Sequence, residues 1–174
     1  MLIVFSGLPG TGKTTIAKGL ALKTGAVYLR IDTIEQAIRN AGVRAQDVGK
    51  SGYAVANELA FSNLDLGSTV IADCVNPVGE SREAWDETAR RAGATLLNVR
   101  VFCSDPVEHQ RRVEQRQSDI AGLAAPTWQS VLEHDYEEWI APPFSIDTAR
   151  ISAEQAVALI AQRLLNDAFD TDAR

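Results

Sequence analysis

The chain has 174 residues, with 17 Lys and Arg against 23 Asp and Glu, a formal net charge of −6. Hydrophobic residues make up 45% and charged residues 23%, the usage of an ordinary globular domain, which excludes a disordered, collagenous or disulfide-framed chain. The acidic balance argues against a general nucleic-acid coat, whose footprint is a strongly basic surface.

No apolar run approaches the ~20 residues of a membrane-spanning helix. Met1-Leu2-Ile3-Val4-Phe5 has no basic or long apolar region of a signal peptide, so a cytoplasmic protein is expected. Cys74 and Cys103 stand far apart and form no CxxC; they read as two reduced, half-buried thiols.

In chain order, Leu2–Ser6 reads as a buried strand and Lys13–Thr24 as a helix stopped by Gly25. A second strand covers Ala26–Arg30 and a helix Thr33–Ala41, closed by Gly42. Residues 50–66 are helical up to Gly67, and Thr69–Ala72 is a third strand. Ser81–Ala92 is a helix, Thr95–Phe102 a fourth strand, and Pro106–Ser118 a charged helix opened by proline. Trp128–Ile140 is expected to be helical until Pro142-Pro143. Phe144–Ile146 is a fifth strand, Ser152–Leu165 a last amphipathic helix, and 167–174 a frayed polar tail. Strands alternating with helices predict one α/β domain over 1–174, its parallel sheet covered on both faces. Trp85, Trp128 and Trp139 are expected as core anchors.

Gly7-Leu8-Pro9-Gly10-Thr11-Gly12-Lys13-Thr14 fits G-x-x-x-x-G-K-[ST], after an apolar strand and opening a helix. Gly7, Gly10 and Gly12 let the backbone turn sharply and aim N–H groups at phosphates. The loop from Gly7 through Thr11 to Thr15 is thus the expected nucleotide cradle, with a helix N-terminus behind it. Lys13 reaches the terminal phosphates, and the Thr14 hydroxyl can ligate Mg²⁺. The Asn-Lys-x-Asp of guanine-specific switches is absent. Val70-Ile71-Ala72-Asp73 can hold Mg²⁺ through Asp73, but Cys74 follows where hydrolytic motors carry a water-activating Glu. ATP and Mg²⁺ with no hydrolytic base point to phosphoryl transfer onto a bound acceptor.

Gly7–Thr15, Arg30-Ile31-Asp32, Val70–Asp73 and Glu108-His109-Gln110-Arg111-Arg112-Val113-Glu114-Gln115-Arg116 occur in the order and spacing of a known group. The chain resembles the small P-loop kinases of the nucleotide- and shikimate-kinase type. It is similar in particular to bacterial kinases labelled adenylylsulfate-kinase-like, related to chloramphenicol phosphotransferase, zeta toxins and polynucleotide kinase domains. The resemblance implies strand order 2-3-1-4-5, an acceptor pocket around the second and third helices, and an arginine-bearing lid over about 105–127. It implies that Asp32 contacts the acceptor hydroxyl and acts as general base. Asp32 with Glu35 also fits a helix capping box. Arg30 and Arg39 can bind an anionic acceptor, and Arg39 equally suits a helix C-terminus. Arg112 and Arg116 share a helix face and are the candidate lid arginines, while Arg111 can stack on adenine. Asn76 and Arg82 lie near the implied acceptor pocket. His109 and His134 lack metal-ligand spacing. The expected activity is an ATP- and Mg²⁺-dependent kinase for a small hydroxyl-bearing molecule. An ATP-binding regulatory module, or a polynucleotide or nucleotide-sugar kinase, is the alternative.

Overall fold

The computed structural model describes residues 1–42 and 48–172, with side chains through residue 166. Five parallel strands lie in the order β2-β3-β1-β4-β5: β1 (Leu2–Ser6), β2 (Val27–Arg30), β3 (Val70–Asp73), β4 (Leu96–Phe102) and β5 (Phe144–Asp147). The expected α/β fold and strand order are therefore present.

Both sheet faces are covered because β1 and β3 are apolar at every position before their polar ends, Ser6 and Asp73. Leu2, Val4, Val70 and Ala72 pack under Ala56, Ala60 and Leu64 of α3 (Ser51–Asp65) and Trp85 of α4 (Gly79–Arg91). Alternate residues Ile3, Phe5 and Ile71 face Ile16, Ala17 and Leu20 of α1 (Lys13–Thr24) and Ala156 and Ile160 of α7 (Ala153–Asp172). Each such fully buried Leu or Ile contributes about 1.5–3 kcal/mol.

The parallel register pairs Asp73 with both Phe5 and Arg30, so β1, β2 and β3 end level with one another. β1 is also where the strand order reverses, and the carboxyl side of such a reversal is a natural ligand crevice.

Four local expectations are corrected. α2 (Ile31–Asn40) begins directly after β2, so Asp32 lies in its first turn and the Asp32–Glu35 capping box does not form. α5 (Pro106–Gln115) stops before Ser118, with Arg116 extended. α6 (Trp128–Leu132) is one short segment and does not run to Ile140. The chain after it is drawn out as a strap by Arg82 of α4. Its guanidinium donates to the carbonyls of Glu137 (2.7 Å), Glu138 (2.9 Å) and Pro77 (2.9 Å), and the Glu137 carboxylate takes the Gly79 N–H at 2.6 Å. Pro142 and Pro143 have no N–H to offer the carbonyls of a longer helix, and the Arg82 guanidinium supplies donors to Glu137 and Glu138 instead. Finally, only Trp85 is a core anchor. Trp139 stacks on Arg82 at 4.2 Å, and Trp128 meets the His109 ring edge-on at 5.2 Å.

The last helix runs past the expected Leu165 to Asp172, and the side chains of the expected tail lie outside the described residues. No helix among the described residues is long and apolar enough to cross a membrane, and both cysteines are unpaired.

Candidate phosphate-binding site and lid

The loop between β1 and α1 occupies the crevice at the carboxyl end of β1. Two of its glycines are required by space as well as by backbone angle. Gly7 has φ +147°, and a Cβ there would run into the Val101 carbonyl; Gly10 has φ +83°, and a Cβ there would strike Val113 and His109 of α5. Gly12 is the N-cap of α1 and supplies no side-chain cap, so the first N–H groups of that helix have no side-chain acceptor at the cap.

Three neighbours brace the loop. Val75 accepts the Gly7 N–H at 3.1 Å. His109 Nε2 lies 2.8 Å from the Pro9 carbonyl, which can only accept, so Nε2 carries the proton. Thr148, just after β5, donates its hydroxyl to the Thr11 carbonyl at 2.9 Å, while Thr11 Oγ1 closes the turn on the Leu8 carbonyl at 2.8 Å. His109 and Thr148 stood out by no spacing rule; they act through tertiary contacts with a backbone.

Lys13 is buried, and burial lowers its pKa against the opposing attraction of Asp73 and then Asp32; Arg116 lowers it further. Lys13 thus lies within electrostatic reach of three residues singled out in the sequence. Asp73 is 2% exposed. Its Oδ2 accepts from the Tyr28 hydroxyl at 2.7 Å and lies 3.9 Å from Arg30 Nε, whereas its buried Oδ1 has no partner. An orphaned buried carboxylate oxygen costs about 1–3 kcal/mol or more. That lone oxygen and the Thr14 hydroxyl in the first turn of α1 are oxygen donors, the chemistry that suits Mg²⁺. Tyr28 was not foreseen; burial and then Asp73 push its hydroxyl pKa upward.

A cleft of about 690 Å³ opens here, with Lys13, Thr14 and Thr15 on one side and Arg111, Arg112 and Arg116 on the other. Arg112 is anchored to Glu108 (2.8 Å) and to Thr148 through its hydroxyl (2.8 Å) and carbonyl (3.1 Å). Arg111 pairs with Glu108 at 2.6 Å, and Arg111 followed by Arg112 holds the Glu108 carboxyl at about 2. Arg116 has no ion pair or side-chain hydrogen bond among the described residues, which leaves its guanidinium for a ligand.

The candidate acceptor residues are placed differently from one another. Arg30 donates to Asp119, in the segment after α5, at 2.8 and 2.9 Å and to Asp32 at 3.3 Å. Arg39 pairs with Glu35 at 3.6 Å on α2 and does not line the cleft. Asn76 is fully buried, with φ +50°. Its backbone N–H donates to Tyr53, its side chain donates to Ser6 and its side-chain carbonyl accepts from Ser81, so it organises the turn after β3. Another hollow, of about 640 Å³, lies between α4, β4 and the strap, away from the phosphate loop.

A family model described as an AAA domain matches residues 2–131, three quarters of the chain. The chain belongs to the AAA domain family. Its fold is shared with solved structures described as kinases. The AAA-domain chain is similar to a sugar kinase from Janibacter sp. at 21% identity, over 94% of this chain and 93% of that one, with a TM-score of 0.68. It is similar to a gluconokinase from Sinorhizobium meliloti at 17% identity, over 95% of each chain, with a TM-score of 0.61. It is also similar to Kti12 from Chaetomium thermophilum, solved with ADP-AlF3, at 23% identity, over 93% of this chain and 98% of that one, with a TM-score of 0.68. At these identities the likeness carries the fold.

Proposed function

We propose that this protein is an ATP- and Mg²⁺-dependent kinase that phosphorylates a hydroxyl group of a small molecule. One observation carries the reading most. The Gly7–Thr15 loop is braced by Thr148 and Asp73 offers a partnerless buried oxygen, yet the next residue, Cys74, is a buried thiol bonded to the Phe5 carbonyl, not a water-activating carboxylate. Such a site suits transfer to a bound acceptor better than hydrolysis. The sugar kinase and gluconokinase of the same fold support a small acceptor. The two unpaired thiols suit a cytoplasmic protein.

The loop amides and Lys13 hold the β- and γ-phosphates. Thr14 and Asp73 would hold the metal ion, which when bound neutralises phosphate charge. Asp32 accepts the proton of the acceptor hydroxyl as the new O–P bond forms and the bond from the γ-phosphorus to the ADP oxygen breaks. Arg116, with no partner of its own, stabilises the charge on the transferring group, and Arg112 holds the lid helix against Thr148. Arg30 and Asp32 would contact the acceptor, with Arg39 acting through its pair with Glu35 and Asn76 by shaping the turn after β3.

An acceptor screen coupled to ADP release tests this, with Asp32→Asn as the control. The wild type should release ADP only with acceptor present, and Asp32→Asn should lose on the order of 10²-fold or more in kcat. A substrate turned over equally by both proteins removes Asp32 from the chemistry. A protein that binds ATP but turns over no acceptor is a regulatory module.

A further inference from the structure

The lid carboxylate of Asp119 neutralises the cation that stands ready for an anionic acceptor. Arg30 ends β2 with its side chain only 3% exposed. Its Nη1 donates to both Asp119 oxygens, its Nη2 to Asp32, and its Nε lies 3.9 Å from Asp73. Asp119 also takes Lys18 of α1 at 2.7 Å. These two contacts, Lys18 first, hold its carboxyl far below the ordinary range, so it is charged at any physiological pH. The cation of α2, Arg39, is taken by Glu35. Lys18, Arg30 and Arg39 are thus balanced by Asp32, Glu35 and Asp119 before any acceptor arrives. The cleft cations nearest the transferring phosphate, Lys13 and Arg116, are assigned to it by their position beside Asp73 and the loop. Residues 43–47 carry one Arg and one Asp, which adds no net charge.

We infer that Asp119 is a specificity residue, which by occupying Arg30 makes this site accept an uncharged or aminated polyol and refuse an anionic one. An acceptor carboxylate or sulfate would enter beside Asp32 and Glu35, where the guanidiniums of Arg30 and Arg39 are already paired and the unpaired Arg116 is taken by the transferring phosphate. A neutral hydroxyl needs none, since it donates to the Asp32 carboxylate, and an amine gains from the same acidic neighbours. The inference rests on the function proposed above, because it places the acceptor beside Asp32.

The test uses the protein loaded with Mg²⁺ and the non-hydrolysable analogue AMPPNP, so that the phosphate loop is filled. Inorganic sulfate and gluconate are then titrated calorimetrically into wild type, Asp119→Asn, Lys18→Met and the double variant Asp119→Asn/Arg30→Gln. Asp119 is 48% exposed on the lid, and unchanged melting temperatures verify that the fold survives. Wild type and Lys18→Met should show no saturable anion binding. Asp119→Asn should gain it by about tenfold or more, the scale of one charge-assisted hydrogen bond, and the double variant should lose it again. Saturable anion binding to wild type overturns the inference, because the site then receives an anion with Asp119 in place. No gain in Asp119→Asn also overturns it, because a released Arg30 would then not be the missing receptor. Failure of AMPPNP itself to bind is a failure of the kinase reading, and is seen before any anion is added.

Discussion

Single side chains set the chemistry of the cleft, and each carries a distinct expectation. Tyr28→Phe deletes the hydroxyl bonded to Asp73 Oδ2 and should destabilise the fold by about 1–3 kcal/mol in denaturant unfolding, because a buried carboxylate loses its donor. Cys74 is 2% exposed and bonded to a carbonyl, whereas Cys103 is half-buried. A thiol reagent should therefore titrate one cysteine in the native protein and both after unfolding. Lys13, Thr14 and Asp73 were legible as residues because a phosphate loop and a strand-ending Asp have fixed local spacing. The partners that tune them were not. Tyr28, His109, Thr148 and Asp119 each act across at least 30 residues of chain, and no local pattern encodes a contact at that separation.

At the scale of elements, α5 is where sequence and site are most tightly joined. Asp105 caps it, accepting from the Val107 and Glu108 N–H groups at 3.0 and 3.1 Å, with Pro106 in the first turn. Asp105→Ala should cost about 1 kcal/mol of stability. It should also weaken ATP binding, since α5 carries Arg112 and His109. Gly10→Ala tests the same junction from the loop side. A Cβ there meets Val113 and His109 in a left-handed backbone, so nucleotide binding should collapse while far-UV circular dichroism stays native. The helix over-read to Ile140 shows the opposite case. Its sequence is compatible with a helix, but Arg82 offers carbonyl acceptors a buried guanidinium, and tertiary bonding overrides local propensity. Likewise α2 starts at Ile31 because β2 runs directly into it, which turns Asp32 from a cap into a first-turn residue facing Arg30.

For the whole molecule, the alternation of apolar strands with helices was sufficient to give the three-layer sheet, since strands buried on both faces must be apolar throughout. The net charge of −6 did not reveal that cations gather on one cleft, because that follows from the register aligning β1, β2 and β3. Global stability should also carry the imprint of the buried groups. Burial raises the Cys74 thiol above its ordinary 9.0 and the Tyr53 and Tyr28 hydroxyls above 10.0. Their contribution is fully present below those ordinary values and is lost as pH climbs, because the unfolded chain releases these protons first. Each group adds a slope of about 1.4 kcal/mol per pH unit. Lys13, lowered by burial, acts in the opposite sense up to 10.5. Because Lys13 offsets Cys74 over part of this range, the readout is the difference: above pH 9.0 the stability of Cys74→Ala should rise relative to wild type as pH climbs, measured by denaturant unfolding against pH.

The central claim is that the phosphate loop serves transfer to a small acceptor. It is tested most directly by following ADP and phosphorylated acceptor together, in wild type and in Lys13→Ala. Equal, acceptor-dependent amounts of both products in wild type, abolished in a Lys13→Ala protein with native circular dichroism, are the predicted result. Undiminished transfer by Lys13→Ala, or ADP formed with free phosphate and no phosphorylated acceptor, would contradict the account.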